Sequence, residues 1–166
     1  TREDGLFENL TREGPYARIY YRTRGARDGD HGSLKSVLTK AVIGADGAKS
    51  QVGRSAGVQG CAEANYVFAY HEIIKTPPNA PNSFDASRCD VLYQKPVSPD
   101  FYGWVFPHGD TISIGTGSAD KGFSLRNAVA KLRADIGLEG AELVRHEGAP
   151  LPMKPLKKWD DGQQVV

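Results

Sequence analysis

Five residues that could hold a phosphate group surround a glycine turn near residue 45. A short apolar run over residues 41–43 stops there, and helix-compatible residues follow. An apolar strand, a glycine turn and a helix start together let backbone N–H groups approach a phosphate closely. An acid in the turn can orient ligand hydroxyls or fix an arginine two helical turns further on. The candidate cofactor-binding residues are Gly44, Asp46, Gly47, Ser50 and Arg54.

A second candidate site is a segment in which three aromatic residues alternate along the chain. Side chains of an extended strand alternate between its faces, so Tyr102, Trp104 and Phe106 share one face. Gly103 and Val105 occupy the other face. The three rings predict a long apolar wall whose only polar groups are a phenol and an indole N–H.

Both patterns also have a purely structural interpretation. The glycine turn fits an ordinary strand–turn–helix junction in which Asp46 caps the helix. The three rings fit core packing in a half-buried strand, and spacing alone favours that interpretation.

The residues around the rings resemble a motif of the geranylgeranyl reductases. That motif, Tyr-x-Trp-x-Phe-Pro-x-Gly, lines the tunnel for the isoprenoid chain in the family. The run over residues 95–107 is most similar to the chlorophyll and bacteriochlorophyll branch. The glycine turn resembles the Asp-Gly motif of FAD-dependent hydroxylases and reductases with the para-hydroxybenzoate hydroxylase fold. All five fixed motif positions are present, as Tyr102, Trp104, Phe106, Pro107 and Gly109.

The resemblance implies an α+β flavoprotein that uses FAD and NADPH. Its fold would combine an antiparallel β-sheet substrate domain with part of an FAD-binding α/β domain. The implied reaction saturates C=C bonds of a geranylgeranyl chain, giving the phytyl group of (bacterio)chlorophyll or its diphosphate precursor. The motif residues would contact the prenyl chain, and the glycine turn would lie near the flavin pyrophosphate and the nicotinamide. No catalytic residue is assigned, and the proton donor stays unknown.

The expected partner is a geranylgeranyl-bearing lipid or pigment. The balance of 21 basic and 20 acidic residues gives no global field that favours nucleic acid. No apolar run approaches the roughly 20 residues that span a bilayer. A hydrophobic substrate nevertheless suggests peripheral membrane contact. We therefore expect a cytoplasmic location or one peripheral to a photosynthetic membrane. The cysteines and histidines lack ligand spacing, so no metal site is expected.

Hydrophobic periodicity and turn residues predict an antiparallel sheet with one covering helix over residues 61–148. Residues 1–15 are mostly polar and are interrupted by glycines, which predicts irregular structure. Gly115-Thr-Gly117 begins like a dinucleotide-binding fingerprint, but its sixth position is Asp120, which favours a strand end and a turn. Strands are predicted at residues 16–23, 33–39, 41–44, 66–75, 91–94, 102–106, 111–115 and 142–146, and helices at 48–56 and 123–136. The predicted domains are 1–60 (partial FAD-binding), 61–148 (substrate) and 149–166 (return into the FAD-binding domain).

We interpret the chain as an internal piece of a longer protein. It begins at Thr1 without a visible signal peptide, and residues 164–166 resemble the opening of a buried strand. Family members carry a Gly-x-Gly-x-x-Gly unit for the ADP half of FAD and a later Gly-Asp motif, and this segment lies between them. We therefore expect the chain alone to hold FAD weakly or not at all and to be inactive.

Two other functions stay open at this point. An FAD-dependent aromatic hydroxylase shares the Asp-Gly motif but binds a compact polar ring, against which the aromatic strand argues. A non-catalytic isoprenoid- or pigment-binding module would account for the incomplete cofactor site.

Overall fold

The computed structural model describes residues 2–25 and 32–166, which form eight strands and two short helices. Contacts divide the chain into a first unit, made of residues up to 65 together with 154–166, and a second unit, 66–153. The sequence predicted domain divisions after residues 60 and 148. Each predicted division lies five residues before the observed one. The mixture of sheets and helices confirms the α+β class.

The strands are β1 (Gly5–Glu13), β2 (Tyr16–Thr23), β3 (Leu34–Thr39), β4 (Tyr66–Lys75), β5 (Asp90–Leu92), β6 (Gly103–His108), β7 (Thr111–Ser118) and β8 (Leu143–Pro152), and the helices are α1 (Gln51–Ala56) and α2 (Leu125–Asp135).

The second unit is a five-stranded antiparallel sheet in the order β5-β6-β7-β4-β8, covered on one face by α2. Helix α2 begins after Ser124, whose side chain accepts a hydrogen bond from the amide of Asn127, and Gly137 follows its end with a φ of 75°. The predicted sheet and covering helix are therefore confirmed. The core between them contains Ile74, Val105, Ile112, Ile114, Val129, Leu132 and Leu138.

An ion pair joins α2 to the sheet. Arg133 Nη1 lies 2.6 Å from Glu72 Oε2, and both side chains are about nine-tenths buried. The same guanidinium donates to the carbonyl groups of Leu138, Glu139 and Ala141 just past the helix. Arg133 therefore satisfies carbonyls of the loop that follows α2, while its charge is balanced by Glu72 of the sheet.

The first unit begins with a strand, so the prediction of irregular structure over residues 1–15 is wrong. Strand β1 pairs with β2, but the register shifts between Phe7 and Asn9. Because of this bulge, Phe7 and Leu10 both contribute to the apolar cluster although they are three residues apart. The bulge breaks the period-two pattern that identifies a strand in sequence.

The strand predicted at residues 41–44 is reduced to one parallel bridge between Val42 and Val165. The Val42 amide donates to the Gln164 carbonyl at 2.8 Å, and the Gly44 amide donates to the Val166 carbonyl at 2.7 Å. Val165 is 2% exposed. The last residues of the chain therefore pair with the segment that leads into the glycine turn.

Strand β7 also runs further than expected, to Ser118, so Gly115 and Gly117 lie inside an antiparallel strand rather than in a turn. This position is incompatible with a dinucleotide-binding fingerprint, which connects a parallel strand to a helix.

Replacing Leu132 by Ala should lower the free energy of unfolding of the second unit by about 3 kcal/mol, because the side chain is buried between α2 and the sheet. Leu143→Ala, at a position that is 44% exposed, is the matched control and should cost less than about 1 kcal/mol. Urea unfolding followed by circular dichroism measures both. Equal costs for the two variants would contradict the packing described here.

Candidate functional site

The carboxylate of Asp46 lies at the beginning of α1. It accepts hydrogen bonds from the amides of Gln51 at 2.6 Å and Val52 at 3.2 Å, and from the hydroxyl of Ser50. Ser50 is the N-cap residue, and its Oγ accepts from the amide of Gly53 at 2.8 Å. Capping by Asp46 was one interpretation of the sequence, and the structure divides that role between Asp46 and Ser50.

These hydrogen bonds affect the acidity of the carboxyl group. Partial burial raises the pKa of Asp46, but the hydrogen bonds from Ser50, Val52 and Gln51 outweigh it and bring the pKa below its usual value. Asp46 is therefore anionic at neutral pH and stabilises the first turn of α1.

The first amides of α1 already donate hydrogen bonds within the protein, so they are not free to bind a phosphate group. Arg54 donates to the carbonyl groups of Ser50 and Lys49 rather than to Asp46. Gly44 is needed for packing, because a Cβ there would lie 3.1 Å from Val52. Gly47 has a φ of 81° and open space where a side chain would be.

A cavity of about 100 Å³ lies beside this turn, lined by Gly44, Gly47, Ser50, Cys61 and Trp159 among others. It can hold a small part of a dinucleotide and not the whole. Gly47 is therefore the position at which this turn is open to a ligand.

The aromatic segment forms a wall on the face of the sheet opposite to α2. The ring centroids of Tyr102 and Trp104 are 6.1 Å apart, and those of Trp104 and Phe106 are 6.2 Å apart. Val105, between them, is buried against the helix. The wall also includes two rings that the sequence analysis did not single out: Phe101 stacks on Tyr102 at 4.2 Å, and Tyr93 lies 5.8 Å from Tyr102.

Small residues of β7 make room for these rings. Gly115 pairs with Trp104 in the sheet, and a Cβ at Gly115 would lie 2.2 Å from the indole. A Cβ at Gly117 would lie 3.0 Å from the ring of Phe101. Because these positions lack side chains, the aromatic rings lie directly against the strand.

The other two motif residues shape the chain around the wall. Strand β5 pairs with residues 103–105, so Pro107 lies beyond that ladder, where the missing N–H is not required. Gly109 has a φ of 68° in the turn to β7, and its carbonyl accepts from the Thr76 hydroxyl at 2.7 Å. Pro107 and Gly109 thus end the strand and form the hairpin, and a substrate-binding role for them stays a prediction.

A row of polar groups lies beside the wall. Trp104 Nε1 donates to Ser113 Oγ at 3.1 Å, and Ser113 Oγ lies 3.0 Å from His71 Nδ1. His71 Nε2 lies 3.3 Å from Glu147 Oε2. The hydrogen bond with His71 and the charge of Arg145 lower the pKa of Glu147. Sequence analysis missed this network, although the alternation of β4 and β7 puts His71 and Ser113 on the face of Gly115.

The five glycine-turn residues all lie in the first unit, and the five motif residues all lie in the second unit. Within the described ranges, no group of three or more His, Cys, Asp or Glu residues could hold a metal ion. Neither described helix is long and apolar enough to cross a membrane.

Comparison with known proteins identifies the family. Geranylgeranyl diphosphate reductase from Rhodobacter capsulatus is 49% identical over 140 residues, which cover 84% of this chain and 35% of that protein. The chain belongs to the geranylgeranyl reductase family. The chloroplastic geranylgeranyl diphosphate reductase of Oryza sativa is 32% identical over 151 residues, covering 89% of this chain and 32% of the relative. The chain thus spans about a third of the length of these curated relatives.

Solved structures support the fold assignment. The flavin-dependent monooxygenase PieE, solved with FAD and substrate, matches with a TM-score of 0.63 at 16% identity, covering 97% of this chain and 28% of PieE. At this level of identity the match establishes the fold alone. No protein-family model matches the chain.

Replacing Asp46 by Asn should weaken the first turn of α1 by about 1 kcal/mol at neutral pH, because an amide replaces an ionised cap. Since the folded-state pKa of Asp46 is lowered, its stabilisation is complete above the ordinary Asp pKa and is lost as pH falls through the depressed pKa. The variant should lack this acid-dependent loss. Hydrogen exchange at the Gln51 and Val52 amides measures the effect, with Asp110→Asn as the control; unchanged exchange would contradict the capping role.

Gly115→Ala should displace the indole of Trp104, because the added methyl group cannot fit beneath it. We expect a loss of about 1–3 kcal/mol in the free energy of unfolding and a changed near-ultraviolet circular dichroism spectrum. Gly140→Ala is the matched control, since a Cβ there meets nothing within 4 Å. A spectrum unchanged by Gly115→Ala would mean that the ring is not held against β7.

Proposed function

We propose that the protein containing this chain saturates C=C bonds of a geranylgeranyl chain, using FAD and electrons from NADPH. The aromatic wall formed by Tyr102, Trp104 and Phe106 is the observation that carries this proposal. The names of the relatives that match most of the chain support the same reaction. The substrate would be a geranylgeranyl diphosphate or a pigment that carries the same prenyl group.

The wall suits a prenyl chain because it offers a long apolar surface with few polar atoms. The indole N–H of Trp104 is directed to Ser113 within the sheet, so this donor is already satisfied. A prenyl chain can therefore lie along Trp104 without leaving its indole N–H unpaired. Three aromatic rings also exclude water from the chain.

The chemistry explains why aromatic faces are useful. When bound and reduced by NADPH, the flavin would supply hydride to the alkene, and a proton added to the other carbon would complete the reduction. An isolated alkene accepts hydride poorly, so the site must tolerate positive character on a tertiary carbon. The faces of Tyr102 and Trp104 can stabilise such charge in a dry environment.

The glycine turn is proposed to contact one edge of the cofactor. The open position at Gly47 and the exposed Arg54 support this role, with Asp46 and Ser50 holding the turn rigid. Gly44 brings the preceding segment close to α1. Most of the cofactor-binding surface would come from parts of the protein outside this chain.

The proposed location is the cytoplasm or the surface of a photosynthetic membrane. A rice relative is named as a chloroplastic enzyme, which supports the photosynthetic setting. A substrate with a long prenyl chain favours peripheral contact with a pigment-bearing membrane.

The test uses the full-length protein with FAD, NADPH and geranylgeranyl diphosphate or its pigment ester. Mass spectrometry should detect products that gain two hydrogens for each reduced bond. Incorporation of oxygen into an aromatic substrate would instead support the hydroxylase alternative. Absence of bound flavin and of turnover in the full-length protein would support a non-catalytic binding module.

Trp104→Ala should lower turnover of the prenyl substrate about 30-fold while flavin absorbance is retained. This factor corresponds to the loss of about 2 kcal/mol of apolar contact. Leu143→Ala, which removes an exposed apolar side chain of β8 away from the wall, is the control. Normal turnover in Trp104→Ala would contradict the role of the wall.

A further inference from the structure

The described contacts include a hydrogen-bonded row, Glu147–His71–Ser113–Trp104, that lies beside the central ring of the wall. Its distances are 3.3 Å from Glu147 to His71, 3.0 Å from His71 to Ser113, and 3.1 Å from Ser113 to Trp104. The row crosses four neighbouring strands, from β8 through β4 and β7 to β6. Each strand therefore contributes one member.

The donors and acceptors of this row determine its direction. The indole N–H of Trp104 can only donate, so Ser113 Oγ is its acceptor. The carboxylate of Glu147 can only accept, so His71 carries a proton on Nε2. In neutral His71, Nδ1 is then an acceptor that receives the Ser113 hydroxyl hydrogen. The whole row is satisfied in this arrangement, and the other neutral tautomer would direct a lone pair at the carboxylate.

The row also limits how the indole can move. The Ser113 hydroxyl is fixed by His71, so its lone pair points steadily at Trp104 Nε1. The His71 and Trp104 ring centroids are 6.2 Å apart, and a Cβ at Gly115 would meet both residues, at 2.6 and 2.2 Å. Gly115 beneath the ring and Ser113 at its N–H therefore define one orientation of the indole.

We infer that His71 is a positioning residue for prenyl binding, which orients Trp104 through the Ser113 hydroxyl and is itself oriented by Glu147. This inference rests on the proposed function. Trp104 is the central ring of the wall, so its orientation sets the path of the prenyl chain between Tyr102 and Phe106. A ring that rotates freely would present its edge or its N–H to the chain.

The first test measures the indole directly and does not depend on activity. In the full-length protein with ¹⁵N-labelled tryptophan, the Trp104 Nε1–H resonance is assigned by its loss in Trp104→Phe. His71→Leu should shift this resonance and raise its exchange rate with water about fivefold, the factor for one net hydrogen bond. His71→Gln should restore the wild-type resonance, because its amide can donate to Glu147 and accept from Ser113. An indole resonance that His71→Leu leaves unchanged would overturn the inference.

The second test asks whether His71 acts through the indole N–H. His71→Leu should raise the KM for the prenyl substrate about fivefold with little change in kcat. In a Trp104→Phe background, which lacks the indole N–H, His71→Leu should add no further increase. Additive effects of the two substitutions would contradict positioning through Trp104 and indicate a general structural role.

The two tests separate this inference from the proposed function. If the full-length protein reduces no prenyl substrate, the resonance experiment still decides whether His71 orients Trp104. If His71→Leu leaves the resonance unchanged while Trp104→Ala abolishes turnover, the reductase proposal stands and the positioning role is wrong.

Discussion

The arrangement of the aromatic wall depends on the contact between the indole of Trp104 and the backbone of β7 at Gly115. No residue with a Cβ fits at Gly115 without displacing the indole, because the Cβ would lie 2.2 Å from the ring. The same strand must fill the core on its opposite face, where Ile112 and Ile114 are fully buried against α2. Strand β7 therefore alternates between bulky branched residues on one face and very small residues on the other. Its central position, between β6 and β4, offsets the cost of glycine in a strand.

Both candidate sites use side chains to satisfy polar groups before any ligand arrives. At the glycine turn, Asp46 and Ser50 accept the first amides of α1. At the aromatic wall, Ser113 accepts the indole N–H. An apolar chain gains most from a surface whose donors are already paired, because it offers no hydrogen bond in return. The wall therefore suits its proposed ligand better than the turn suits a phosphate.

The sequence predicted the elements with regular alternation and missed those whose alternation is broken or whose contacts depend on long-range pairing. Strand β4 was predicted with its observed bounds, since aromatic and β-branched residues fill it and prolines follow it. Strand β1 was missed because a bulge displaces its apolar residues from period two. The alternation of Tyr102, Trp104 and Phe106 was sufficient to predict a shared face. By contrast, His71 forms hydrogen bonds with Ser113, 42 positions away, and with Glu147, 76 positions away. Such contacts follow from the register of the sheet, which alternation alone does not specify.

The closure of the first unit has a consequence for the order of events during synthesis. Arg12 forms an ion pair with Asp161, 149 positions later, and donates to the Ala56 carbonyl at the end of α1. Val42 likewise forms its β-bridge with Val165, which is synthesised much later. Residues 66–153, which form the second unit, are therefore synthesised before the last part of the first unit. Until then the apolar cluster around Leu10 and Val52 lacks Val165, so its apolar surface is completed only after the second unit has been made.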